Sequence, residues 1–215
     1  MIMAKLNNIR SLNKNYSKKN ALFTTIIIFI FGVLMGIISK SLDNLAIDST
    51  IWWHNIIGKF DFGNVLSCMG IWLLIALTIS IYSKTPLRAS LNVFLFFLGM
   101  NLSYHLWTII YSGFNPNKYM MIWYSLTIFS PLLAFISWYA KGKHFISVII
   151  SSFIIGVLMV FCFSIGQWYI YFKSFIDTLI FILSLLVLYH DYKSSIKSLI
   201  IGILLSFILA NYIHF

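Results

Sequence analysis

From Ala21 to the C-terminus, apolar runs near the length of a membrane crossing alternate with short polar patches. A helix needs about 20 apolar residues to cross the hydrocarbon core of a bilayer. Only helices and closed barrels keep every backbone polar group bonded at that depth. Seven runs are predicted as crossing helices: Ala21–Ser39, Asn64–Tyr82, Ala89–Ser112, Tyr119–Ala140, Phe145–Ile165, Tyr171–Tyr189 and Ser198–Tyr212. The expected fold is all-α, a polytopic transmembrane helical bundle. Residues 1–20 form a basic tail and residues 21–215 a single membrane domain. The last two runs are short, so a six-span alternative, with one of them re-entrant or tilted, stays open.

The longest connection, residues 40–63, is polar and aromatic. Its segment Ile51–Phe62 reads IWWHNIIGKFDF. Trp52, Trp53 and Ile56 fit a helix lying in the membrane surface with His54, Asn55 and Lys59 exposed; a lid over an outward pocket is the alternative.

Charge orients these elements. With the N-terminus in the cytoplasm, the inner side holds Lys5, Arg10, Lys14, Lys18 and Lys19 with Lys84, Arg88, Lys141, Lys143, Lys193 and Lys197. The outer side holds only Lys40, Lys59, Lys118 and Lys173. Eleven basic residues against four satisfy the positive-inside rule. The inner ends also pair amphipathic rings with lysines, as in Tyr82-Ser83-Lys84 and Tyr139-Ala140-Lys141. An outer belt is expected from Trp52, Trp53, Tyr111, Tyr119, Trp168 and Tyr169. No small-residue cleavage pattern closes the first run, so it reads as a retained signal anchor, preceded by a mobile or surface-lying tail.

Composition excludes several classes. Hydrophobic residues make up 60% of the chain and charged residues 9%, and there is no Glu. The net charge of +10 lies in loops and tail, where it meets anionic lipid headgroups rather than nucleic acid. Cys68 and Cys162 fall inside apolar runs and read as small packing residues, not a disulfide or metal pair. There is no HExxH, no GxSxG and no phosphate-binding glycine loop. No enzyme activity, catalytic residue, metal or cofactor is expected.

Candidate chemistry centres on the third run. Asn101, Tyr104, His105 and Thr108 fall at i, i+3, i+4 and i+7, on one helix face. Polar groups at bilayer depth must face other protein or a watery cavity. Either the stripe lines a small-molecule pocket or proton path with His105 as the titrating group, or it glues helices together by hydrogen bonds. In the fourth run Pro131 follows Ser125, Thr127 and Ser130, a pattern for a kink whose freed carbonyl a hydroxyl can satisfy. Asp177 is the one acid inside a run, four residues after Lys173, and reads as an i,i+4 interfacial pair or an intramembrane carboxylate. Asp43, Asp48 and Asp61 could attract a cation, but their spacing fits no calcium loop. Gly32 and Gly36 make a GxxxG, a close-approach face toward a bundle neighbour or another subunit. Gly32-Val33-Leu34-Met35 recurs as Gly156-Val157-Leu158-Met159, a faint internal echo.

The stretch from Ser83 to Lys143, with SKTPLRASLNVFLFFLGMNLSYHLWT, GFNPNKYMMIW and SPLLAFISWYAKGK, together with GVLMGIISKSLD in the first run, resembles an uncharacterised family of small membrane proteins of Gram-positive bacteria. That resemblance implies a multi-pass protein of the bacterial plasma membrane and supplies no catalytic residue. In size and general character the chain is also similar to the substrate-binding subunits of energy-coupling-factor vitamin importers, which typically have six spans. The expected function is a small-solute binding or transport subunit. Its pocket would be lined by Asn101, Tyr104, His105, Trp107 and Thr108, with Trp123 and Trp53 as stacking partners. The alternative is a non-transporting accessory, immunity or assembly protein of the envelope. Expected partners are membrane lipids, a small-molecule ligand, and either ATPase subunits or another membrane protein.

Overall fold

The structure is a computed structural model and describes residues 9–11, 17–166 and 169–212. Its helices are α1 (Lys18–Asp43), α2 (Trp52–Phe60), α3 (Phe62–Ser67), α4 (Met69–Tyr82), α5 (Pro86–Ser112), α6 (Asn117–Trp138), α7 (Phe145–Cys162), α8 (Phe175–Leu188) and α9 (Tyr192–Leu209). A 3-10 turn, Tyr139–Lys141, extends α6. A short antiparallel hairpin, β1 (Phe163–Ile165) with β2 (Ile170–Phe172), joins α7 to α8. Among the described residues five helices, α1, α5, α6 with its 3-10 turn, α7 and α9, are long and apolar enough to cross a membrane. The protein is therefore a helical chain suited to the bilayer.

α4 and α8 are apolar but have 14 residues each, about 21 Å at the α-helical rise. Each falls where a full span was expected, and each is shortened for a visible reason. Cys68 adopts an extended conformation, φ −85° and ψ 149°, and splits the predicted second span into α3 and α4. The predicted fifth and sixth spans lose residues 163–165 and 171–172 to the hairpin. Its paired positions Phe163↔Phe172 and Ile165↔Ile170 are the aromatic and β-branched residues that favour strands. At the other end, Asp191 caps α9, so helix starts at Tyr192 where a loop to Lys197 was expected. Trp168 of the expected outer belt, Lys5 and Lys14 of the tail, and the last three residues lie outside the described residues.

The chain divides into two compact units. Among described residues the first holds 9–11, 69–89 and 134–212. Here α7 and α9 meet at glycines: a Cβ on Gly156 would lie 3.2 Å from the Gly202 carbonyl. The Ser198 hydroxyl bonds the Val148 carbonyl across the same contact. The tail is not free at this point. Ile9 is buried in a cluster with Ala89, Trp138 and Tyr139, and its carbonyl accepts from the Lys143 N–H at 3.1 Å. Arg10 donates to the carbonyls of Trp138 and Ile81, at 2.5 and 2.9 Å. The expectation of a mobile tail is corrected for Ile9 and Arg10: one apolar side chain and one five-donor guanidinium are enough to dock them.

The second unit holds 17–68 and 90–133. α1 and α5 pack through small residues. A Cβ on Gly32 would collide with the Phe96 carbonyl oxygen, and one on Gly36 with the Met100 carbonyl and Ser103 Oγ. The contact is laced by Thr25 Oγ1 donating to Asn92 Oδ1 at 2.8 Å and Ser103 Oγ donating to the Val33 carbonyl at 2.9 Å. The GxxxG face is thus filled by a helix of the same chain.

Candidate functional site

α6 begins after Pro116 and runs through Pro131. Proline has no N–H, so the Thr127 carbonyl, four residues earlier, loses its helical donor. Ser130 Oγ donates to that carbonyl at 2.8 Å, and Ser90 Oγ donates to the Pro131 carbonyl at 2.8 Å. The Ser130 hydroxyl thereby satisfies the carbonyl that the proline leaves without a donor. One turn away, Thr127 Oγ1 donates to the Trp123 carbonyl and accepts from Asn101 Nδ2 at 2.7 Å. Asn101 is 2% exposed, and its amide also reaches the Trp123 carbonyl at 3.3 Å. Thr108 is buried too, and its hydroxyl bonds back to the Tyr104 carbonyl of its own helix. Asn101 and Thr108 therefore spend their hydrogen bonds within and between helices.

The remaining stripe residues open onto a different cluster. α1 continues through Asp43, and this extension carries Lys40 and Asp43 on one face, three residues apart. Lys40 Nζ lies 2.9 Å from Asp43 Oδ2, and its side chain is 7% exposed. Two rings flank the ammonium, Tyr104 at 5.6 Å and Phe114 at 5.9 Å to their centroids. Such cation–π placements strengthen as water is excluded. The Tyr104 hydroxyl reaches the same carboxylate oxygen at 3.4 Å, and its ring lies 6.4 Å from Tyr119. Tyr119 in turn meets the edge of Trp123.

His105 is held at both nitrogens. Nε2 lies 2.8 Å from Asn115 Oδ1, and Nδ1 lies 2.9 Å from the Tyr124 hydroxyl. An amide oxygen only accepts, which assigns the hydrogen to Nε2 and leaves Nδ1 accepting from Tyr124. Trp107 packs on Tyr111 with centroids 4.1 Å apart.

Trp53 is not joined to this cluster by any hydrogen bond or ring contact among the described residues. It lies on α2, with Trp52 75% and Ile56 45% exposed, and its ring contact is with His54. His54 was expected to be exposed and is buried: its Nδ1 accepts the Asp48 N–H at 2.9 Å and locks the approach to α2.

Of the seven residues expected at a ligand site, Tyr104 and Trp123 are linked through the ring of Tyr119, His105 is held by Asn115 and Tyr124, and Asn101 and Thr108 are buried and bonded to helix groups. Sequence reasoning missed Lys40, Asp43 and Tyr119 around Tyr104, and Asn115 and Tyr124 around His105. The signal for the first two was a Lys and an Asp at i,i+3 directly after an apolar run. Asn115, Tyr119 and Tyr124 come from across the α5–α6 turn and carry no periodic mark.

The pair expected between Asp177 and Lys173 is absent. Asp177 is instead part of a helix start: its N–H donates to Ser174 Oγ, and Ser174 Oγ–H donates to Asp177 Oδ2. Lys173 Nζ donates to the Phe161 carbonyl at 3.1 Å. Among the described residues no group of three His, Cys, Asp or Glu is placed to hold a metal ion, and Cys68 and Cys162 are not joined in a disulfide. No protein-family model, no curated protein and no solved structure matches this chain.

Proposed function

We propose that this multi-pass membrane protein binds, and as a transport subunit passes on, a small aromatic solute carrying a hydrogen-bond acceptor. The site is the cluster of Lys40, Asp43, Tyr104 and His105. The observation that carries this reading is the Lys40 ammonium, almost wholly buried and flanked by two rings, with Asp43 as its hydrogen-bond acceptor among the described residues. An ammonium has three donors, so two are left for a ligand carboxylate or carbonyl. Burying a charge is costly unless it is paired and used. The rings of Tyr104, Tyr119 and Trp123 supply stacking surface.

With the N-terminus cytoplasmic and seven crossings, four of them formed as continuous long helices after α1, the cluster opens to the outer face of a bacterial plasma membrane. α2, with Trp52 and Trp53 in the lipid surface, then lies beside its mouth. The alternative of an accessory or immunity protein drew on the GxxxG of α1, on the high aromatic content and on the lack of a buried charge path. Those glycines pack on α5 of the same chain, so the first of these motives no longer favours it.

The test is equilibrium binding of radiolabelled aromatic amino acids and aromatic carboxylic acids to the purified protein in lipid nanodiscs. Wild type is expected to retain at least one of them, and Lys40→Met to lose it at least tenfold. Equal binding by wild type, Lys40→Met and His105→Gln would sink the proposal. Co-purification of ATPase subunits from the host membrane would add the transport role.

A further inference from the structure

A separate cavity lies wholly within the first unit, where the N-terminal turns of α7 and α9 meet the C-terminal end of α8. Its volume is about 220 Å³. Its walls are mostly apolar, formed by Val148, Ile155, Leu185, Leu188 and Leu199. Two serines of its lining, Ser147 and Ser195, carry hydroxyl oxygens that are buried and have no hydrogen-bond partner among the described residues. Ser147 is 1% exposed.

Neighbouring serines behave differently. Ser151 Oγ donates to the Ala140 carbonyl at 3.0 Å, Ser152 Oγ to the Val148 carbonyl at 2.7 Å, and Ser198 Oγ to the same carbonyl at 3.4 Å. Back-bonding to the preceding turn is the usual resource of a helical serine. Buried hydroxyls left unpaired are rare, because each forfeits the hydrogen bonds it had in water. Two of them at one cavity mark a place built to be filled by something that bonds them.

We infer that this cavity is a second ligand site, for an uncharged, lipid-soluble molecule with an apolar body of one or two rings and a hydrogen-bonding oxygen, such as a phenol, quinone or alcohol. Three observations fix that class. A dry cavity of about 150 Å³ accepts benzene, so this one admits a substituted ring or a fused pair. The only titratable side chains on its lining are His190, whose Nε2 is engaged by Asp191 Oδ2 at 2.8 Å, and the phenols of Tyr189 and Tyr192. No Lys, Arg, Asp or Glu side chain is among the described lining residues. The rim is apolar and amphipathic, with Leu186, Tyr189 and Tyr192 exposed, the surface of an opening toward lipid near headgroup depth. The site does not depend on the Lys40 cluster, which lies in the other unit.

The test uses the full chain in lipid nanodiscs, with 1-naphthol as probe and naphthalene as the reference lacking the hydroxyl, both followed by isothermal titration. Wild type is expected to bind one equivalent of 1-naphthol saturably. Ser147→Ala/Ser195→Ala should weaken it roughly tenfold while leaving naphthalene unchanged, since the cavity stays but its donors go. Ser195→Phe should remove saturable binding of both. The double alanine variant should melt no lower than wild type, because it deletes hydroxyls that bond nothing. Linear partitioning of 1-naphthol with lipid, equal affinity in wild type and the double alanine variant, or unfolding of that variant would each overturn the inference.

Discussion

Asn101 Nδ2 and Thr127 Oγ1 stand 2.7 Å apart, on helices whose sequence positions differ by 26 residues, and this bond decides how the polar stripe of α5 divides. Asn101 works for the bundle, Tyr104 and His105 for the cluster beside it. Interhelical hydrogen bonds inside membranes contribute about 0.6 kcal/mol on average and up to about 1.7. Asn101→Ala is therefore expected to lower stability by that order in a detergent unfolding titration. Its solute affinity should remain within about twofold of wild type once the protein is folded. Asn101→Ala that unfolds normally but loses the ligand would place this side chain in the site.

Gly32 and Gly36 give a sharper structural expectation. A Cβ at either position meets backbone carbonyls of α5, at Phe96 and Met100, and backbone cannot rotate away as a side-chain tip can. Gly32→Ala and Gly36→Ala should each cost about 1–3 kcal/mol, the usual cost of overpacking. Gly36→Ala should be the worse of the two, because Ser103 Oγ, which also bonds Val33, is displaced with it. The check is the unfolding midpoint of each variant. Unchanged midpoints, with a cross-linked dimer lost instead, would return these glycines to a subunit interface.

What the sequence made legible follows from what lipid demands. Apolar length located α5 to α8 to within four residues, because a bilayer leaves the backbone little other choice, whereas α4 starts five residues after and α9 six residues before the predicted start. The hairpin at 163–172 was missed because aromatic and β-branched residues such as Phe163 and Ile170 score as apolar whether they end a helix or pair as strands. The break at Cys68 has no proline or glycine at the residue itself to announce it. The stripe Asn101–Thr108 was visible as periodicity, but periodicity reports only that residues share a face. Which of them is consumed locally depends on hydroxyls such as that of Thr127 on another helix. Lys40 looked like a loop cation because hydropathy ended α1 at Ser39, whereas the helix continues to Asp43.

Asp191 supplies a pH dependence with a defined sign. Its carboxylate accepts the Ser194 N–H at 2.9 Å and so caps α9. That backbone hydrogen bond, with smaller help from the Ser194 hydroxyl and His190, holds the Asp191 pKa below its ordinary value. A depressed folded-state pKa stabilises the protein fully above the unfolded value, about 3.9. That contribution is lost as pH falls through the lower folded value. Asn at this position keeps an acceptor for the cap but cannot titrate. Unfolding midpoints measured from pH 6 down to 3 should therefore fall more steeply for wild type than for Asp191→Asn. Parallel curves would show that other carboxylates carry the acid sensitivity.

Arg10 offers the last prediction, and it separates shape from charge. Its guanidinium reaches two helix ends at once, the Trp138 carbonyl closing α6 and the Ile81 carbonyl near the end of α4, and lies 4.3 Å from the centroid of the Trp138 ring. Carbonyls at helix C-termini lack helical donors and carry the negative end of the helix dipole, so a cation is favoured there whatever its form. Bridging two carbonyls while stacking on indole needs more: a planar fork with several fixed donors, which lysine lacks. Burial works against this cation, pushing its pKa below the ordinary arginine value, yet a guanidinium stays charged throughout the physiological range. Arg10→Ala should cost about 1–3 kcal/mol, the scale of hydrogen bonds to a charged donor. It should also free the Ile9 backbone from Lys143, raising hydrogen exchange at the Lys143 amide. Arg10→Lys should behave closer to alanine than to wild type in both measurements. If lysine restores the unfolding midpoint and the exchange protection, the clasp is a point charge at two helix ends and its fork geometry is idle.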